Sequence, residues 1–458
     1  MAGVVRVISP DCHTLEVLPR FEIVRRLRPI SLIAPGSSRP LVAGAHPLSM
    51  LAPYAAAVLP LPLAGPGSLA FWLGEHRLGC TWDGQRVSLT HTSASTTSTH
   101  RSRRHGAATV LPTRLALTLT GSHLTALVEE SAVWVARARL DLSDLVDTRD
   151  EKVLAALRVE STHDFEAGRF GQLGLRDIRL VTTRGGEPVR DGTRLLLSAT
   201  SAGPGFFDTA HTSIWTLDPD SLELEHRSDV FFRRPDKQGV YGDHATHVVR
   251  DDDSWLVATS TWGDFQQRDS ERSVRATLAR TTIDLLDGAH VLDTTELSLP
   301  TDGFTSVGVW DPHLVHTGEE WLVGFASARK FFRFHPALAA GPELDQLTLR
   351  GAAADRRATE GSTVLRLGGE WRVLASDGRD GRRGQRARFP VFDLAMHEVG
   401  ELTAAYPSNL PWPTLVETER GWLMITFNGR PTTGPLVGYG THGDVVVQRE
   451  AGRVYPDM

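Results

Sequence analysis

Two hydrophobic rhythms divide this chain. Up to about residue 147, short runs alternate apolar and polar positions or are continuously apolar. Examples are "SLAFWLG", "QRVSLTH" and "SAVWVARARLDL", the last with Val133, Val135 and Leu140 among its apolar residues. Period-two patterning of this length predicts half-buried strands. "LALTLTGSHLTALV" reads as a hairpin turning at Gly121. Between these runs "TSASTTSTHRSRRHG" has no apolar period and reads as an exposed loop. "LSDLVDTRDEKVLAAL" places Leu145, Val146, Val153, Leu154 and Leu157 near helical spacing and predicts a short linking helix.

From about residue 165 a longer period takes over. An apolar pair is followed, six or seven residues later, by a tryptophan and a second apolar run. The copies are "HVVRDDDSWLVATS" with Trp255, "HLVHTGEEWLVGFAS" with Trp321, "TVLRLGGEWRVLAS" with Trp371 and "TLVETERGWLMITF" with Trp422. The tryptophans are 66, 50 and 51 residues apart. A degenerate copy, "RDIRLVTTRGGEPVRDGTRLLLSAT", precedes them, with Leu195 near the tryptophan position. Each unit opens with two strands and continues with more strand-like sequence, such as "SIWTLDPDSLELEHRS". Units of about fifty residues and four strands are the mark of a β-propeller, whose blades bury one another's faces. The fold expected is all-β: a β-sandwich, jelly-roll-like, over 1–147, a linker over 148–164, and a five-bladed propeller over 165–458. The recurring tryptophans are expected to pack between blades.

The repeat also predicts which acids meet. Residues that open the innermost strands converge at one mouth of the central channel. Asp177 lies three residues before Leu180–Val181, Asp311 three before Leu314–Val315, and Glu360 four before Val364–Leu365. A lone acid there reads as a turn residue. Three at matching positions read as a site, because crowded carboxylates raise one another's pKa and keep one of them protonated near neutrality. Glycoside hydrolysis needs such a set: one carboxylate to activate water or attack carbon, one acid to protonate the leaving oxygen. Arg176 and Arg179 flank Asp177, and an adjacent arginine is expected to hold that base ionised. Trp310 and Trp412 do not recur between blades and are candidate sugar-stacking residues, with Trp262 a weaker one. The second blade offers Asp243, His244 and His247 near the channel as further candidate substrate-binding residues, beside Arg176 of the first.

The motifs "WDPHLV…EEWLVGFAS" and "EGSTVLRLGGEWRVLAS" resemble the blades of five-bladed propeller glycosidases, glycoside hydrolase family 43 and its relatives. The resemblance spans residues 165 to 450 or so. It implies Asp177 as general base, Asp311 as the residue that tunes and orients the acid, and Glu360 as general acid, one position earlier in its strand than the aspartates. It further implies an inverting hydrolase of furanosides or pentose-containing glycans, of arabinofuranosidase or xylosidase type, with carbohydrate as its partner. It implies no required cofactor. A channel histidine, His247 or His313, is compatible with a structural cation, and the metal is left unassigned. "RDIRLV" is also faintly similar to propeller mannoside phosphorylases, so phosphorolysis or glycosyl transfer on the same scaffold is the second expectation. A carbohydrate-binding propeller without catalysis is the third.

Composition narrows this only at the edges. A net charge of −6 gives no reason to expect nucleic acid. Only Lys152, Lys237 and Lys330 among the 49 basic residues are lysines. Cys12 and Cys80 cannot build a disulfide framework or a zinc cluster. The run "MLAPYAAAVLPLPLAGPG" is broken by prolines and too short for a bilayer, so no membrane partner is expected. The N-terminus lacks a continuous apolar core of signal-peptide length, which suggests a cytoplasmic protein, or a secreted one if a leader has been lost.

Overall fold

The computed structural model describes residues 18–61, 65–265, 273–429, 434–437 and 443–452, so Cys12 lies outside the described residues. Alternating apolar strands form two facing antiparallel sheets. One runs Val133–Asp141, His123–Glu130, Arg114–Thr120, Tyr54–Pro60, Phe165–Gln172, Ser31–Ile33 in spatial order. The other runs Gly44–Pro47, Arg158–Ser161, Gly67–Leu73, His76–Trp82, Val87–Ser93, Thr96–His100. Leu115, Leu117 and Leu119 of the first face Phe71, Leu78 and Trp82 of the second in one core. This is the expected sandwich, and Gly121 takes the left-handed turn of the hairpin at φ +60°.

Three details depart from the sequence reading. The Ser/Thr-rich segment is not a free loop: Thr96–His100 pairs with Val87–Ser93 as an edge strand. Its β-branched threonines suit a pleat exposed at the sheet edge, where no apolar alternation is required. Val133 is exposed, and Trp134, Ala136 and Ala138 turn inward instead. The domain boundaries also shift. Arg158–Ser161 and Phe165–Gln172, expected in the linker and propeller, pair into the two sandwich sheets. Between them and the earlier strands lies the expected helix, Glu151–Ala155, capped by Asp150, whose carboxylate accepts from the Lys152 N–H at 2.8 Å.

Among the described residues five further sheets follow. Their innermost strands are Leu175–Leu180, His244–Asp251, Val309–His316, Thr359–Leu367 and Thr414–Thr418. Cross-sheet bonds link these strands into a ring. Thr182 Oγ1 meets His247 Nε2, the Leu314 N–H donates to His247 Nδ1, and the Val364 N–H donates to His313 Nδ1. Trp412 closes over Gly361, and Thr414 Oγ1 donates to the Ile178 carbonyl. The recurring tryptophans pack between blades as expected: Trp255 joins Leu196 and Val230 of the first blade, and Trp321 joins Val249 and Leu256 of the second.

The last sheet takes its outer strand from the other end of the chain. Phe21–Leu27, expected in the sandwich, pairs antiparallel with Val445–Glu450. The first blade is buttressed by the sandwich. Tyr54 stacks on Phe231 and donates to the Ala210 carbonyl at 2.7 Å, and His123 Nε2 lies 2.5 Å from Asp208 Oδ2.

Without Phe21–Leu27 the strand Val445–Glu450 would present a bare edge. A chain lacking residues 1–27 is therefore expected to melt roughly 5–10 °C lower than one beginning at Leu18. Equal melting temperatures would show that the strand does not close the propeller.

Candidate active site

The site begins with one backbone device used four times. In each of the first four blades the innermost strand carries a β-bulge near its start. The register breaks between Arg176 and Arg179, His244 and His247, Trp310 and His313, and Glu360 and Thr363. The residue after the first of each pair is left-handed: Asp177 at φ +51°, Ala245 at +61°, Asp311 at +60° and Gly361 at +74°. A non-glycine residue held there is strained, and such strain concentrates at functional sites. The kink aims two successive side chains of each strand toward the channel mouth. Asp177 and Asp311 occupy the left-handed position. Glu360 occupies the position before it, and Gly361 takes the kink. That is the physical basis of the one-residue offset seen in the sequence. Gly361 is required twice over, since a Cβ there would sit 2.3 Å from Trp412 Cδ1.

All three predicted carboxylates line one cavity of about 400 Å³, together with Arg176, His244, Trp310 and Trp412. Trp262 lines it too. Glu360 is held between two indoles. Trp310 Nε1 donates to its Oε2 at 3.2 Å. The Trp412 N–H favours the charged form from nearby without completing a hydrogen bond. Burial, and then the charge of Asp177, push the Glu360 pKa up to about 7, against the smaller pull of the indoles and Arg176. Burial and Glu360 push Asp311 well above the carboxylate range, opposed by Arg179 and by the nearby Gly361 N–H. Asp177 lies 3.3 Å from Arg176 Nε, and the nearby Thr200 hydroxyl favours its charged form. Here the expectation from sequence is reversed in its net sign. Arg176 does lower the Asp177 pKa, but burial outweighs it and the pKa is raised.

Two predicted binding residues are elsewhere. Asp243 is wholly buried outside the cavity lining, where it accepts from Arg234 Nε at 2.8 Å and from the Gly263 N–H at 3.0 Å. It is half of a structural ion pair, because a carboxylate removed from water needs such partners. His247 lies down the channel. Its Nδ1 accepts from Leu314 N–H, so Nε2 carries the proton toward Thr182, and its ring stacks on His313 at 3.9 Å. Burial and Arg179 hold both pKa values well below the usual histidine range. A ring whose lone pair is spent on a backbone N–H does not suit a cation. Among the described residues no group of three His, Cys, Asp or Glu is set to hold one.

His244, in contrast, takes part in the site. Its Nδ1–H donates to the Gly242 carbonyl at 3.1 Å, which leaves Nε2 to accept from Arg176 Nη2 at 3.1 Å. Arg176 is thereby fixed between His244, Asp177 and the face of Phe207 at 4.8 Å.

Sequence reasoning missed two features. Arg179, noted only as a neighbour of Asp177, crosses the channel. It donates to the Ser362 carbonyl at 2.8 Å and the Asp311 carbonyl at 2.9 Å, and packs 4.6 Å from the Trp412 ring. The phenylalanines Phe206, Phe207, Phe331, Phe332, Phe334 and Phe427 form much of the cavity wall. The run "KFFRF" at 330–334, apolar where a hairpin tip is usually polar, was the available signal.

No family model and no curated protein sequence matches this chain. Among solved structures it is similar to a family 117 glycoside hydrolase from the marine bacterium Zobellia galactanivorans (10% identity, 60% of this chain and 85% of that one, TM-score 0.43). It is also similar to an inulosucrase from Halalkalicoccus jeotgali bound to kestose (14%, 62% and 91%, 0.46). A third similar structure is the GH43_1 enzyme from Xanthomonas citri with xylose (11%, 60% and 87%, 0.41).

The raised Glu360 pKa is a statement about stability. The folded state holds this proton more tightly than the unfolded chain does. Its stabilisation is therefore complete below about pH 4.5 and lost as pH rises through about 7. Glu360→Gln mimics the protonated form. It is expected to raise stability at pH 8 by on the order of 1–3 kcal/mol, with the gain vanishing near pH 4. Denaturant titrations at the two pH values measure this, and a pH-independent difference would contradict the assignment.

Proposed function

We propose that this protein is a glycoside hydrolase acting on a furanoside or pentose-containing glycan with inversion at the anomeric carbon. One observation carries the reading: three carboxylates from three blades share one cavity, and the most perturbed pair includes a glutamate whose pKa sits near neutrality. A general acid must be protonated yet able to give up its proton at working pH, and Glu360 fits that demand. Asp177, braced by Arg176, takes the proton of the attacking water. The charge of Asp177 keeps Glu360 protonated. Asp311, itself pushed well above the carboxylate range by burial and Glu360, stands beside it. It is tied through its backbone carbonyl to Arg179, which also holds the Ser362 carbonyl of the strand that carries Glu360. Arg176 is already engaged with Asp177, His244 and Phe207, so water rather than phosphate is the nucleophile assigned.

The roles are separable by leaving group. On a 4-nitrophenyl arabinofuranoside or xyloside the leaving oxygen needs little protonation. On a methyl glycoside it needs full assistance. Glu360→Gln is expected to lower kcat/KM on the methyl glycoside by about 100-fold or more, and on the nitrophenyl glycoside far less. It is also expected to remove the loss of activity above about pH 7. Asp177→Asn should suppress both substrates. Proton NMR of the first-formed sugar should show the inverted anomer. Undiminished turnover by Asp177→Asn, or rates that scale with phosphate, would overturn the proposal.

A further inference from the structure

We propose that the group leaving from Glu360 is an apolar, ring-bearing aglycone rather than another sugar. The proposal rests on the glycosidase reading above and specifies the substrate class of that site. The leaving oxygen must lie beside the Glu360 carboxyl, so the aglycone extends along whatever surrounds that carboxyl on the way to solvent. Trp310, which donates to Glu360, is where that surface starts. Its ring is parallel to Phe331 within 7°, with centroids 6.2 Å apart, and lies 5.6 Å from Phe334 and 5.2 Å from Trp262. The aromatic wall ends at Phe332, which lines the cavity and is also 51% exposed.

Phe332 is the strongest single pointer. It stands at the tight turn between Trp321–Lys330 and Arg333–Gly341 with φ +65°. A bulky residue in the left-handed region is rare, and one that also exposes an aromatic ring to water is disfavoured on two counts. Asparagine or glycine would satisfy the turn without either cost. A ring held there at the mouth of a cavity suits contact with an apolar ligand group.

A second sugar would fit this wall poorly. One sugar face can stack on an aromatic ring, but the hydroxyls around its edge each need a hydrogen-bond partner once desolvated. The wall from Trp310 to Phe332 supplies ring carbons. Of the polar lining residues, Arg176 and His244 are engaged with each other and with Asp177. Asp380 and Asn409 stand on the fourth- and fifth-blade side, where the Asn409 side-chain oxygen already accepts from the Arg379 N–H at 2.7 Å.

The test compares three arabinofuranosides that share the sugar and differ beyond the leaving oxygen: methyl, 2-phenylethyl and an arabinofuranosyl disaccharide. Binding is followed by tryptophan fluorescence, since Trp262, Trp310 and Trp412 line the cavity. The 2-phenylethyl glycoside is expected to bind about tenfold or more tighter than either of the others. Phe332→Asn, which keeps the left-handed turn, is expected to narrow that ratio by about threefold or more. Equal affinities, tighter binding of the disaccharide, or no binding of the 2-phenylethyl glycoside below about 10 mM would overturn the inference. Turnover is measured in parallel. Selective binding without hydrolysis of any of the three would overturn the glycosidase reading and leave the apolar subsite standing. Hydrolysis without selectivity would do the reverse.

Discussion

The channel mouth depends on a buried cation. Arg179 is almost wholly removed from water, and it holds together the strands that carry Asp177, Asp311 and Glu360. Burial lowers its pKa to about 10, resisted by Asp311 and Asp177, so it stays charged at neutral pH. Three carboxylates could not be gathered in one buried place without positive charge to offset them. Arg176 and Arg179 supply it from a single strand, immediately either side of Asp177 and Ile178. The balance is incomplete, which is why protonation remains favoured at Glu360 and Asp311.

Around this centre the backbone does the aiming. A strand start that kinks through a left-handed residue sends neighbouring side chains to the same mouth, and four blades use the same kink. What each blade contributes is then decided by which residue takes the kink. Where an aspartate takes it, the short side chain reaches the cavity directly. Where Gly361 takes it, the longer glutamate before it is carried against Trp310, and Trp412 can close over the glycine. The second blade, with Ala245 at the kink, contributes His244 and hence the orientation of Arg176.

The rest of the molecule keeps that arrangement rigid. Interblade tryptophans fill the gaps between sheets, several with an arginine over the ring, as Arg250 over Trp255 at 4.5 Å and Arg366 over Trp371 at 5.0 Å. The sandwich presses on the first blade through Tyr54 and His123, so the segment bearing Phe206, Phe207 and Asp208 is pinned between domain and cavity. A domain that looks accessory in sequence therefore shapes one wall of the site.

The sequence alone determined whatever is local or periodic. The apolar pair and the tryptophan recur because each blade must bury two faces, and that period placed Asp177, Asp311 and Glu360 at equivalent strand starts. Trp310 and Trp412 were legible for the opposite reason, as aromatics that break the period. Tertiary structure decided whatever depends on distant partners or on burial. Phe21–Leu27 belongs to the propeller because its hydrogen-bond partners lie at 445–450, more than four hundred residues on. Asp243 and His247 looked equivalent to His244 along the chain, yet Arg234 claims one and the channel interior the other. The upward shift of the Asp177 pKa turned on desolvation, which no adjacent arginine reveals. The aromatic wall exists only once turns from separate blades meet, because side chains far apart in sequence share a surface only after the ring has closed.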